Sequence, residues 1–277
     1  MTPWHDRYIS EFASLNLPQG FPAVGATLGE ASRRLLELDA AGALPCGPLA
    51  GETRDSLGVI AATPSLAEWR ILEYINKNDT TGFVAYALQA PNGAVRVAFR
   101  GSESRGCGIV NSIDWIDNFA APFVGSAQYP DVRAIAGRYP GGDVVFTGHS
   151  KGGHNALYAL ANSPNPDARA VAFGSQGFPA GLFTPAQAAA LRRRGVNYVV
   201  QGDLVGALMH HPERRVFVRK AGDGISHALS SLTFDEDGHP TPGRRPLWSY
   251  LLEWATRMYL RDYAPPGRAD PRQIPIG

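Results

Sequence analysis

A serine between two glycines is the strongest chemical signal in the sequence. Ser150 is the centre of a Gly-x-Ser-x-Gly motif at 148–152, directly after the apolar run 144–147. The apolar run predicts a buried strand, and the small residues after the serine predict the start of a helix. In that context the motif is a sharp strand-to-helix turn, which exposes the serine hydroxyl at the positive end of the helix. We therefore expect Ser150 to be a nucleophile rather than a capping serine in a glycine-rich turn.

A serine hydroxyl is a poor nucleophile until a base removes its proton, and histidine is the usual base. In hydrolases with this turn, the acid and the histidine follow the serine in the chain. His227 is the favoured base because it lies in a loop after the last predicted strand, and His210 or His211 is the alternative. His149, inside the turn, is expected to point away from the cleft. The remaining histidines after the serine are His154 and His239.

A carboxylate that orients the histidine is expected just beyond the carboxyl end of a strand, where α/β sheets place their sites. Asp203 fits because it follows the apolar strand predicted at 197–201 through one glycine. The alternative interpretation is that Asp203 caps a helix. Asp223 and Asp235 are nearer to His227 in the sequence, but both resemble turn residues.

Acyl transfer to a serine also requires hydrogen-bond donors aimed at the oxyanion that develops in the transition state. The backbone N–H of Lys151, directly after the nucleophile, is the expected first donor. The second is expected in the loop after an earlier strand, where Gly101 permits a sharp turn that aims the N–H of Ser102 at the site. An ordinary strand-ending Arg-Gly turn is the alternative interpretation of that loop.

Strands that alternate with helices predict a mostly parallel central sheet flanked by helices, the α/β class. We expect residues 1–64 to form an N-terminal cap packed on the core, residues 65–264 the core, and residues 265–277 a Pro-rich tail. The predicted helices are 30–41, 65–78, 132–138, 152–161, 185–194 and 246–260. The predicted strands are 82–89, 94–100, 143–147, 168–173, 197–201 and 215–219, of which the first two form a hairpin around Pro-Asn-Gly at 91–93.

Composition narrows the functional classes further. The 277 residues carry 26 basic and 25 acidic side chains, a formal charge of +1, so nothing favours nucleic acid as a partner. Two cysteines are too few for a disulfide scaffold or a Cys-rich zinc site. Asp114 and Asp117 have no histidine or carboxylate partner at the spacing of metal ligands. We therefore predict no metal and no cofactor. No apolar stretch approaches the roughly 20 residues of a membrane span. The chain is expected to be soluble without a signal peptide, in the cytoplasm or exported by a signal-independent route.

Four ordered motifs together resemble the class 3 lipase family. The Phe-Arg-Gly-Ser at 99–102 is similar to its oxyanion motif, and the Asp-Trp-Ile-Asp-Asn at 114–118 to the Trp-x-x-Asp stretch that follows. The Gly-His-Ser-Lys-Gly-Gly at 148–153 is similar to its nucleophile turn, and Asp-Leu-Val at 203–205 to its acid motif. The lysine after the serine is closest to a bacterial branch of the family. The resemblance covers about residues 68–240.

The resemblance implies an α/β-hydrolase-like fold and a cofactor-independent serine ester hydrolase of lipase or phospholipase type. The resemblance also implies the site residues. The catalytic triad is Ser150, Asp203 and His227, and the oxyanion hole is supplied by Ser102 and Lys151. An acyl ester or lipid is the implied substrate, with transient contact to a membrane surface, and the apolar segment 102–128 is expected to be a lid or an acyl-binding wall, unless its side chains are core. The alternatives are an acyltransferase with the same triad and a non-catalytic binding module on a hydrolase scaffold.

Overall fold

One mixed sheet of seven strands runs through the protein, with the strands in chain order. The strands are β1 (Arg70–Lys77), β2 (Phe83–Gln89), β3 (Val95–Phe99), β4 (Val144–His149), β5 (Arg169–Phe173), β6 (Gly195–Val200) and β7 (Arg214–Val218). The structure is a computed structural model that describes residues 1–45, 47–102 and 126–263, with side chains to residue 259. β1–β2 and β2–β3 pair antiparallel, and each later pair is parallel. The carboxyl ends of β3 to β7 therefore share one edge of the sheet.

Helices cover both faces of this sheet. They are α1 (Pro3–Ala13), α2 (Leu28–Ala40), α3 (Gly51–Ala62), α4 (Pro64–Ala67), α5 (Tyr129–Gly137), α6 (Lys151–Asn162), α7 (Pro185–Arg194) and α8 (Leu247–Tyr263). Alternating side chains of β2 point to opposite faces: Val84 and Tyr86 pack with α1 to α3, while Phe83 and Ala85 pack with α5 and α6. The predicted α/β-hydrolase-like fold, a mostly parallel sheet flanked by helices, is confirmed. No helix among the described residues is long and apolar enough to cross a membrane.

Most predicted elements lie within three residues of their observed ends. The hairpin is confirmed: β2 and β3 pair antiparallel, and Gly93 in the turn has a φ of 87°, a conformation that glycine adopts without strain. The predictions for Asp114, Asp117, the apolar segment after Ser102 and the tail from 265 fall on residues outside the described ranges.

The helix predicted at 65–78 is wrong, because most of that segment is the edge strand β1. Ile71 and Ile75 are four residues apart, a spacing that suits one helix face. In the structure a bulge between Ile71 and Glu73 shifts the strand alternation, so Ile71 packs on the α1 side of the sheet and Ile75 on the opposite side. The bulge hides the period of two that would identify a strand.

The N-terminal residues hold two helices that the sequence analysis did not identify, α1 and α3. α1 lies against β3 and β4, and its polar side chains are buried with partners far along the chain. Asp6 pairs with Arg96 of β3 at 2.8 Å, and the hydroxyls of Ser10 and Thr147 are 3.1 Å apart. α1 thus packs directly on the sheet, and α2 and α3 share the apolar cluster on that face. The domain boundary at residue 64 stays a prediction.

Candidate active site

The turn between β4 and α6 holds Ser150 in a strained backbone conformation. Its φ of 56° and ψ of −122° lie in a region that residues with a side chain rarely adopt. Among the described residues, Ser150 and Met209 are the non-glycine residues with positive φ. Strain at a strand-to-helix serine is characteristic of a nucleophile turn, where it holds the hydroxyl out of the helix.

The glycines around Ser150 are required by close backbone contacts. A Cβ at Gly148 would lie 2.4 Å from the carbonyl carbon of Gly152, and one at Gly152 would lie 2.1 Å from the carbonyl oxygen of Phe99. A Cβ at Gly101 would lie 2.8 Å from the carbonyl oxygen of His149. The turn therefore packs against the end of β3, which brings the loop at Ser102 beside the nucleophile.

A chain of hydrogen bonds joins the three residues predicted as the triad. His227 Nε2 lies 2.9 Å from Ser150 Oγ, and His227 Nδ1 lies 3.0 Å from Asp203 Oδ1. Because a carboxylate only accepts, Nδ1 carries the proton and Nε2 is free to accept from the serine. The Asp203 side chain is 1% exposed and that of His227 is 26% exposed, so the carboxylate is buried and the imidazole is partly accessible.

Comparison with known proteins shows the family of the chain. A family model described as Mbeg1-like matches residues 60–239, more than half of the chain. The chain belongs to the Mbeg1-like family. This is a class 3 lipase-like family, as the sequence motifs indicate. No curated protein gives a significant match to this Mbeg1-like chain.

Solved structures similar to this family member include lipases. One fungal lipase is 14% identical, covering 87% of this chain and 85% of its own, with a TM-score of 0.47. Lip2 lipase from Yarrowia lipolytica is 13% identical, covering 87% and 96%, with a TM-score of 0.42. A mutant form of MDLA from Penicillium cyclopium is 14% identical, covering 82% and 91%, with a TM-score of 0.41.

The Asp203 carboxylate contacts both the imidazole of His227 and the backbone of the turn that follows it. Asp203 follows β6 through Gly202, whose φ is 90°. Besides its contact with His227, Oδ1 accepts hydrogen bonds from the backbone N–H groups of Val205 at 2.9 Å and Gly206 at 3.3 Å. The carboxylate thus caps the 3-10 turn Val205–Ala207 and contacts the imidazole with the same oxygen, so the cap holds the acid in place.

His149 packs against His227, a contact that the sequence analysis did not predict. Its Nε2–H donates to the backbone carbonyl oxygen of His227 at 2.6 Å, and the two ring centroids are 4.7 Å apart. Burial, and to a lesser degree the neighbouring His227, lowers the pKa of His149 to about 3. His149 is therefore neutral at physiological pH and holds the backbone of His227.

The N-terminal helices also hold the loop that carries His227. Arg7 of α1 donates from Nε to the carbonyl oxygen of Leu229 at 3.4 Å, and Ser230 donates to Glu52 of α3 at 2.7 Å. Sequence reasoning missed these contacts because each joins residues more than 170 positions apart. They make α1 and α3 part of the support of the site.

Among the described histidines, His227 is the one whose side chain bonds to Ser150 Oγ, and the other candidates have different side-chain surroundings. His154 bonds to Tyr129 at 2.8 Å in the core beside α5, and His211 forms a buried pair with Glu213 at 2.7 Å. His210 pairs through its backbone with Phe178, and His239 is exposed. The carboxylate alternatives Asp223 and Asp235 are exposed, and Asp235 accepts from backbone N–H groups of its own turn.

The predicted oxyanion donors lie at the two segments that meet at Ser150. Lys151 is the first residue of α6, where helix N–H groups have no acceptor within the helix, and its side chain is buried. Arg100, just before the loop at Ser102, donates to the carbonyl oxygen of Gly82 at 2.8 Å and to Asn78 at 2.5 Å. This buried guanidinium anchors the end of β3. The role of both donors stays a prediction.

Gly174 leaves room for the acid and the base, so a side chain there is expected to disturb both. It has a φ of 56°, and an added Cβ would lie 2.8 Å from Asp203 Oδ2 and 3.2 Å from His227 Nδ1. We expect Gly174→Ala to lower kcat/KM on a soluble ester about 100-fold, the cost of a displacement near 1 Å. Gly181→Ala is the matched control, because Gly181 has a φ of 86° and nothing within 4 Å. Equal losses in the two variants would assign the effect to backbone strain instead.

The low pKa of His149 predicts a pH-dependent stability. The unfolded chain gains a proton at this side chain below about pH 6.5, whereas the folded protein gains it only near pH 3. The contribution of neutral His149 to the free energy of unfolding is thus complete above pH 6.5. It is lost as the pH falls from 6.5 to 3, by about 1.4 kcal/mol per pH unit. We expect His149→Gln to flatten this fall in urea unfolding, and the exposed-site variant His239→Gln to retain it. An identical slope in His149→Gln and the parent would contradict the assignment.

Proposed function

We propose that the protein is a serine ester hydrolase of lipase or phospholipase type that works through an acyl-enzyme intermediate. The observation that carries this proposal is the continuous hydrogen-bonded chain from Ser150 Oγ through His227 to the buried Asp203. Membership of a class 3 lipase-like family supports it. In this proposal Ser150, His227 and Asp203 are the catalytic triad.

The proposed reaction uses the hydroxyl of Ser150, the imidazole of His227 and the carboxylate of Asp203 in turn. Ser150 Oγ attacks the ester carbonyl carbon while its proton moves to His227 Nε2, and Asp203 stabilises the imidazolium that forms. The backbone N–H groups of Ser102 and Lys151 donate to the oxyanion. The tetrahedral intermediate collapses, the C–O bond to the alcohol breaks, and the alcohol takes the proton from Nε2. Water then repeats the sequence and releases the carboxylic acid.

The surroundings of the site favour this chemistry. The α6 N-terminus contributes partial positive charge where the oxyanion forms. Neutral His149 places no second positive charge beside the imidazolium of His227. The buried carboxylate of Asp203 interacts with that imidazolium in a low dielectric, where their attraction is stronger than in water.

The substrate in this proposal is an acyl ester of a lipid, presented at a membrane surface. The expected bacterial branch of the family, indicated by Lys151 after the nucleophile, belongs to the same proposal. Within the described residues no group of three or more His, Cys, Asp or Glu side chains could hold a metal. Each proposed proton transfer is assigned to a side chain of the protein.

The test is a product analysis with the purified full chain. We expect it to cleave p-nitrophenyl butyrate with an initial burst of p-nitrophenol, the signature of an acyl-enzyme, and to release fatty acid from a triglyceride emulsion or phosphatidylcholine vesicles. Ester product in place of free acid when glycerol is added would indicate the acyltransferase alternative. Absence of both ester cleavage and fluorophosphonate labelling would overturn the proposal in favour of a non-catalytic binding module.

A further inference from the structure

The C-terminal helix α8 turns an apolar face to solvent. Seven of the eleven exposed large hydrophobic side chains among the described residues lie on it. Five of them recur at helical spacing and share one side: Leu247, Tyr250, Leu251, Trp254 and Met258, with exposed fractions from 43% to 84%. A stripe of this length and composition is unusual on the surface of a monomeric protein.

The polar side of α8 is the side that contacts the protein. Ser249 is buried and accepts from Arg245 at 2.8 Å, Glu253 pairs with Arg215 and Arg245, and Thr256 accepts from the backbone N–H of Met209 at 2.9 Å. These positions are four and three residues apart and lie opposite the apolar stripe. A surface helix normally buries its apolar side, so the orientation of α8 is inverted and is held by directional polar contacts.

The charges around the stripe favour an anionic partner. From 244 to 259 the helix and its approach carry three arginines and one glutamate, and that glutamate, Glu253, is paired inward. Exposed Arg257 borders the stripe, and exposed Arg244 precedes the helix. A two-fold contact with a second copy would bring the arginines of both copies into one interface, where the described side chains from 244 to 259 supply no acidic partner besides the inward-paired Glu253.

Two more exposed apolar side chains are close in the chain to the proposed acid and base. Leu204, directly after Asp203, is 62% exposed, and Ile225, two residues before His227, is 77% exposed. α8 contacts the 3-10 turn Val205–Ala207, which begins one residue after Leu204. Exposed apolar side chains therefore lie next to the acid and the base in the chain and on the helix that packs beside the turn after the acid, an arrangement that would let both meet one lipid layer.

We propose that α8, with Leu204 and Ile225, is a docking surface for an anionic phospholipid membrane. Its tryptophan and tyrosine rings combine an apolar body with a polar tip, which suits the headgroup region, and its arginines meet the lipid phosphates. The helix would lie in the headgroup region at the membrane–water interface without crossing the membrane. The purpose of this docking rests on the proposed function, because docking would bring a lipid ester to Ser150. Membrane binding itself requires no catalysis.

Vesicle flotation with the full chain tests the proposal. We expect binding to phosphatidylcholine vesicles that contain phosphatidylserine, weaker binding to phosphatidylcholine alone, and weakening by salt. Trp254→Asn and Leu251→Asn should each weaken binding about tenfold, because each removes apolar area from the lipid contact. Arg257→Gln should weaken binding to the anionic vesicles selectively. Val24→Asn, at a side chain 63% exposed and far from α8 in the sequence, should have no effect.

Several outcomes would overturn the docking surface. They are absence of binding by the parent chain, binding that Trp254→Asn and Leu251→Asn leave unchanged, and a dimer in gel filtration that Trp254→Asn converts to a monomer, which would make the stripe a self-association face. Thermal unfolding checks that the variants are folded. Ser150→Ala should bind vesicles as the parent does. If the parent chain itself binds vesicles but cleaves no ester, the proposed function is refuted and the docking surface is retained.

Discussion

Ser150→Ala is expected to abolish ester cleavage and fluorophosphonate labelling. Removal of the hydroxyl eliminates both the attacking atom and the acceptor of the acyl group, so we expect kcat to fall by about 10⁴-fold or more, to the level supported by binding and the oxyanion donors alone. Alanine retains the Cβ, so the strained φ of 56° stays and the free energy of unfolding should change by less than about 1 kcal/mol. Burst kinetics, labelling and thermal unfolding measure the three effects.

Ser14→Ala is the matched control for that variant. Ser14 is exposed at the end of α1, where its hydroxyl bonds to the carbonyl oxygen of Glu11, so its loss should leave turnover and labelling at the parent level. Labelling of Ser150→Ala at the parent stoichiometry would place the reactive nucleophile elsewhere in the chain and remove Ser150 from the mechanism.

His227→Gln is expected to have an effect of similar size. Glutamine retains a polar side chain but cannot take the proton from Ser150 Oγ at 2.9 Å and return it to the leaving alcohol. We expect kcat to fall by about 10⁴-fold or more, with KM changed much less, because the residue acts on bound substrate. The fluorophosphonate should react far more slowly, since the serine loses its base.

The chain offers His239→Gln as a matched control, since His239 also follows the serine in a loop and is exposed. It should leave kcat at the parent value. If His227→Gln retains most activity and a variant of His210 or His211 loses it, the base is His210 or His211 and not His227. Steady-state kinetics on one soluble ester decide between these assignments.

Features encoded by neighbouring residues were predictable from sequence. The β2–β3 hairpin depends on Gly93 in its own turn, where backbone sterics decide the conformation. The nucleophile turn is recognisable from a five-residue motif, although the contact that requires glycine at 152 is with the distant carbonyl oxygen of Phe99. The alternation of strands and helices from 144 to 218 was predictable for the same reason, since the apolar period is a local property. Strand β1 was not predictable, because the bulge between Ile71 and Glu73 interrupts the alternation of buried and exposed side chains that identifies a strand.

Contacts between distant segments could not be predicted. The buried pair of Asp6 and Arg96 joins α1 to β3 across 90 positions, and nothing near either residue indicates its partner. Likewise, the contact of His149 with the His227 carbonyl depends on how a loop 78 residues later returns to β4. Loop paths are decided by packing and by such individual hydrogen bonds rather than by local propensity.

By itself, the sequence determined the fold class, the position of Ser150 at a strand-to-helix turn, and a short set of histidines and carboxylates that follow it. Those conclusions depend on local sterics and on periodicity, which residue types carry directly. Only the tertiary structure decided which histidine reaches Ser150, that His149 and the N-terminal helices hold its loop, and that α8 turns its apolar side outward. Each of these depends on where the chain returns in space, and that is settled by the packing of the whole molecule.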